Sequence, residues 1–142
     1  MTTTRSDAGR AILAGSMASA LVMVAGTILG TARVLLVAPR LGDTAATLLE
    51  LPVILAAGWF ACGIAARRHG VGPDTASRIL MGAAALAVLV ALEALLAFVV
   101  AGTSPASFLG GYRETAARIG LAAQVLYATF PVLQAKLRPP PR

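Results

Sequence analysis

Residues 79–101 read ILMGAAALAVLVALEALLAFVVA, and Glu93 alone interrupts their apolarity. A helix of about 20 apolar residues crosses the hydrocarbon core of a bilayer, so this stretch predicts a transmembrane helix with a carboxylate inside it. On insertion scales a charge at the centre of such a helix costs roughly 2.5–3.5 kcal/mol. The run therefore says where the chain resides, and Glu93 says where to look for its function.

Three more apolar runs flank this one, and none shows the alternation of a strand. The predicted spans cover about 11–37, 44–66, 75–101 and 113–135. A polar segment, 1–10, precedes them, and a basic, proline-rich tail, 136–142, follows. The expected fold is all-α: one domain, an integral membrane four-helix bundle. Helix 1 should stop at Pro39, because proline disfavours helix in the residue before it. Asp43 or Thr44 should cap helix 2. Residues 106–112 are amphipathic and too short to span, which suits an interfacial position.

Composition supports lipid as the solvent. Of 142 residues, 58% are hydrophobic and 13% charged, against about 45–50% and 25% in soluble domains. The net charge of +6 would suggest nucleic acid in a soluble protein. Here the basic residues lie at the ends of apolar runs, where they orient a membrane protein, and no nucleic-acid partner is expected. The uncharged run from Ala11 to Ala32 exceeds the 7–15 residues of a signal-peptide core, so it reads as an uncleaved first helix. Cys62 is the sole cysteine and reads as a small buried hydrophobe.

Lys and Arg counts set the expected orientation. Arg5, Arg10, Arg67, Arg68, Arg78, Lys136, Arg138 and Arg142 fall on one side, and Arg33, Arg40, Arg113 and Arg118 on the other. Eight against four predicts that both termini are cytoplasmic.

That topology brings Arg33, Glu50, Glu93 and Arg118 toward the outer leaflet, one from each helix. Intramembrane charges normally face the bundle interior and pair. Two readings stay open. Arg–Glu pairs hold the helices in register, or the charges line a polar pocket for an ion, a proton or a lipid headgroup. Pro52 either kinks helix 2 beside Glu50 or sits harmlessly in the first turn of a helix that begins later. Gly26 and Gly30 form GxxxG, a spacing that lets helix backbones approach. They serve packing within the monomer or a seam toward a second copy or a partner.

No G-x-S-x-G, HExxH or P-loop occurs, and no aspartate cluster could hold a divalent ion. No catalytic residue, metal ligand or cofactor is expected. His69, the single histidine, follows two arginines at a helix end and reads as a solvated residue.

The segment GTILGTARVLLVAPRLGDTAATLLELP, residues 26–52, resembles a stretch of small four-helix bacterial inner-membrane proteins of no assigned function. Gly30, Arg33, Pro39, Arg40, Gly42, Glu50 and Pro52 carry the resemblance, which implies a compartment and a fold but no activity. The expectation is a non-enzymatic inner-membrane protein that docks to itself or to a membrane-protein partner. A small ion- or proton-coupled transporter using Glu93 and Glu50 is the alternative. Polar groups in the cytoplasmic half are few (Ser16, Ser19, Gln124 and Thr129), which favours docking or assembly.

Overall fold

The computed structural model describes residues 2–137. Residue 1 of the polar segment and residues 138–142 of the basic tail lie outside the described residues; the rest of the polar segment is helical, so the first helix begins at Thr2 and not near Ala11. Helix α1 (Thr2–Ala32) runs on through a wide turn (Arg33–Val37) and a final α-turn (Ala38–Leu41). Then come α2 (Asp43–Arg68), α3 (Thr75–Val99), the short α4 (Pro105–Gly111) and α5 (Thr115–Leu137). The four long helices are long and apolar enough to cross a membrane.

Helix α1 does not stop at Pro39. The chain widens into i→i+5 bonding, with the Ala38 amide donating to the Arg33 carbonyl. A wide turn is one way to absorb a proline that lacks an N–H and crowds the preceding turn. Arg40 folds back to donate to the Leu36 carbonyl at 2.6 Å. The helix ends instead at Gly42, whose φ of +79° suits a residue without Cβ. Gly42 also caps α2, so Asp43 is its first helical residue and no side chain caps it.

Helix α2 ends in a Schellman turn. Gly70 (φ +62°) donates to Arg67, and Val71 donates to Ala66. Arg78 at the start of α3 is 2% exposed. Its guanidinium clamps this turn, donating to the Gly72 and Val71 carbonyls at 2.8 and 3.0 Å.

The long helices form a ring in which α1 and α5 each pack on α2 and α3. Helices α1 and α5 thus face each other across the diagonal. Around the 69–74 turn the ring is closed by small side chains. Ala11, Ala14, Ala18, Cys62, Ala65 and Ala85 are fully buried. A Cβ at Gly15 would fall on the Met81 carbonyl, and one at Gly82 on the Ala128 carbonyl. Close backbone approach through small residues is how helices associate in an apolar solvent. Ser19 donates to the Ala85 carbonyl at 2.6 Å, and Gln134 to the Trp59 carbonyl at 2.6 Å. The outward faces carry exposed Leu13, Ile28, Phe60, Leu95 and Val125.

Candidate functional site

Toward the opposite end the ring hollows out. Gly30 of α1 and Gly120 of α5 have nothing within 4 Å of the place a Cβ would take. Ala116, Ala117 and Ala123 extend the row of small residues on α5. Because α1 and α5 oppose each other, small residues on both leave a space that their neighbours do not fill. The result is a cavity of about 600 Å³ lined by all four long helices. Gly26 and Gly30 therefore do not make the close helix contact expected of GxxxG. Gly26 meets only Ile54, at 3.8 Å, and both glycines line the cavity. Small residues permit close approach but do not compel it. The contacts that need glycine fall at Gly15, Gly58 and Gly82.

The floor and walls of the cavity are apolar, with Val22, Ile54, Leu55, Leu89 and Leu96 among them. Its polar residues are Arg33, Asp43, Thr47, Glu50, Glu93, Glu114 and Gln124, together with Thr27 and Tyr127. Arg33 opens the wide turn of α1 and meets Glu50 across the α1–α2 hairpin, Nε to Oε2 at 2.8 Å. Both side chains are largely covered, 26% and 17% exposed. The Nε–H is not aligned on the oxygen, so the contact is a charge pair rather than a good hydrogen bond. Pro52 lies well inside α2, not in its first turn, and its side chain is exposed on the outer surface.

Glu93 takes a different partner from those expected. The Gln124 amide donates to both of its carboxylate oxygens, at 2.7 and 2.8 Å. Among the described residues no basic side chain forms an ion pair with it. Gln124 Oε1 is enclosed without a hydrogen-bond partner. The sequence reading assigned Gln124 to the opposite half of the bundle. It is in fact nine residues into α5, and Glu93 is six residues before the end of α3. Comparing those depths from the shared connection is the signal that would have paired them.

Arg118 does not join the group. It is exposed and its Nη2 reaches Thr115 Oγ1 at 3.5 Å. The foreseen cluster of four charges is therefore one Arg33–Glu50 pair, a separate Glu93–Gln124 pair and an outlying arginine. Asp43 and Glu114, both exposed, add two carboxylates that sequence reasoning did not place.

Helix α4 lies beside the Glu93–Gln124 pair. Ser104 caps it, with its side chain accepting from the Ser107 amide. Phe108 joins it to α3 and to its own C-terminus through edge-on contacts with Phe98 and Tyr112, at 5.5 and 5.7 Å. A second cavity of about 300 Å³ beneath it is lined by Glu93, Phe108, Tyr112 and Gln124. Burial, then the charge of Glu93, hold the Tyr112 hydroxyl above the ordinary phenol range. The Glu93–Gln124 pair is thus a wall shared by two spaces.

Among the described residues, no group of three His, Cys, Asp or Glu is placed to hold a metal ion. His69 stands at the closed end, far along α2 from the cavity. The arrangement offers apolar walls, a ring of oxygen acceptors and one guanidinium, which is the equipment of a binding site. No known family model, curated protein or solved structure matches the chain.

Proposed function

We propose that this chain is a multi-pass protein of a bacterial inner membrane, with both termini cytoplasmic, that binds a guest between its helices and performs no catalysis. The cavity of about 600 Å³ is the observation that carries this reading. Its volume falls within the roughly 300–1,000 Å³ typical of small-molecule sites.

The apolar outward faces support lipid as the surrounding solvent, since soluble monomers rarely expose such continuous apolar surface. The eight-to-four bias of Lys and Arg supports the orientation, which turns the cavity toward the exterior. Transport would require a path through the other half. There the backbones of α1 and α3 meet at Gly15, and those of α3 and α5 at Gly82. That closure favours binding over passage. The inward position of Gly26 and Gly30 likewise favours a site within the monomer over a helix-docking seam.

Native mass spectrometry after extraction in a mild detergent tests the reading. The wild-type protein should carry a bound small molecule or lipid. Gly30→Leu and Gly120→Leu place side chains in the open space and should lose that mass while keeping their helical circular dichroism. A wild-type protein with no bound mass, or variants that retain it, would overturn the proposal.

A further inference from the structure

The charge balance of the cavity says what kind of guest it suits. Four carboxylates line it, from Asp43, Glu50, Glu93 and Glu114, against the single guanidinium of Arg33. Glu50 is already matched by Arg33. Among the described residues Glu93 is matched only by a neutral amide, though it sits where the surroundings are apolar. An opposite charge is worth most where water is scarce. Asp43 and Glu114 stand exposed near the same opening, where carboxylates draw cations inward and turn anions away.

We infer that the guest is an organic ammonium ion, its N–H donors on Glu93 and its apolar body along the wall of Ile54, Leu55 and Leu89. This rests on the cavity being the binding site. A bare divalent ion fits poorly, because calcium and magnesium demand six or more oxygen ligands and the walls beside Glu93 are hydrocarbon. A neutral amphiphile would cover those walls but leave the Glu93 carboxylate uncompensated. The same ammonium chemistry is offered by a free amine and by an ethanolamine lipid headgroup.

Isothermal titration calorimetry of the full chain in phosphatidylcholine nanodiscs tests this with three probes of one shape. They are 2-phenylethylammonium, the neutral 2-phenylethanol and the anionic 3-phenylpropionate. The ammonium should bind at least about tenfold more tightly than the alcohol, and the anion least. Glu93→Gln should abolish the preference for the ammonium over the alcohol while leaving the alcohol bound, and Glu93→Asp should restore part of it. Should Glu93→Gln fail to fold, the probe comparison on the wild-type protein and on Glu93→Asp decides alone.

Repeating the titration with phosphatidylethanolamine in the discs identifies the source. Weakened binding of the ammonium assigns the site to the lipid headgroup, and unchanged binding assigns it to a free amine. Equal binding of alcohol and ammonium, or a preference for the anion, overturns the inference and leaves the cavity reading intact. No binding of any probe, or ammonium binding that survives Gly30→Leu and Gly120→Leu, overturns both.

Discussion

Two glycines on neighbouring helices show how one residue type does opposite work. At Gly82 the missing Cβ is where the Ala128 carbonyl of α5 sits, and at Gly30 the missing Cβ leaves open space. Gly82→Ala should therefore destabilise the bundle by about 1–3 kcal/mol, the usual cost of forcing atoms into a packed interior. Gly30→Ala should do no harm and could gain up to about 1 kcal/mol, the difference between glycine and alanine in a helix. Unfolding titrations in mixed micelles measure both. A Gly82→Ala protein as stable as wild type would show that α3 and α5 are farther apart than described.

The Arg33–Glu50 pair is covered enough that each charge depends on the other. Glu50→Gln should strand the guanidinium and lower stability more than the double variant Arg33→Gln/Glu50→Gln does. The coupling energy should fall within about 0.5–3 kcal/mol, as for residues in direct contact. The same titrations on both single variants and the double variant give it. Additive effects would mean that the two side chains do not act on each other.

Among the elements, α3 has the clearest boundary device. Asp74 stands at its N-cap and accepts from the Ser77 amide at 2.8 Å. That hydrogen bond, first among the causes, holds the Asp74 carboxyl below the ordinary 3.8 of an aspartate. A folded-state value lowered in this way gives stability that is fully present above about pH 4 and lost as pH falls through the folded value. Asp74→Ala should lower the melting temperature at neutral pH, and Asp74→Asn should recover most of it, since asparagine also caps. The gap between wild type and Asp74→Asn should narrow as the pH is lowered below 4. Thermal melts in detergent across that range provide the test, and a gap that does not depend on pH would contradict the cap's ionic character.

Helix α1 carries the other informative boundary. Proline chemistry predicts a stop at Pro39, but the helix runs on through the wide turn Arg33–Val37 and ends at Gly42. Local rules name the cost of a proline. Whether the chain stops or widens depends on the helices alongside, and here the wide turn opens at Arg33, which meets Glu50.

At the scale of the whole molecule the bundle is uneven, with one half closed by alanine and glycine and the other hollow. The proposed orientation puts the hollow half outside. Reporter fusions after Arg142 and within residues 102–112 should report cytoplasm and exterior respectively, as the distribution of Lys and Arg requires. A cytoplasmic signal from the 102–112 connection would reverse the bundle and turn the cavity inward.

The existence and number of the long helices were legible in the sequence, because an apolar run of some twenty residues has few other stable forms in lipid, but the first helix is longer at both ends than its apolar run, from Thr2 to Leu41. Arg33, Glu50 and Glu93 were legible as well, because a charge inside such a run stands out against its neighbours. Their partners were not. Glu93 pairs with Gln124 and not with an arginine, Arg118 faces outward, and Gly26 and Gly30 line a space where close contact was expected. Those outcomes depend on the rotation of each helix about its axis and on which helices sit across the diagonal. Rotation is set by the close contacts at Gly15, Gly58 and Gly82, and contacts between distant parts of the chain are decided only when all four helices pack together.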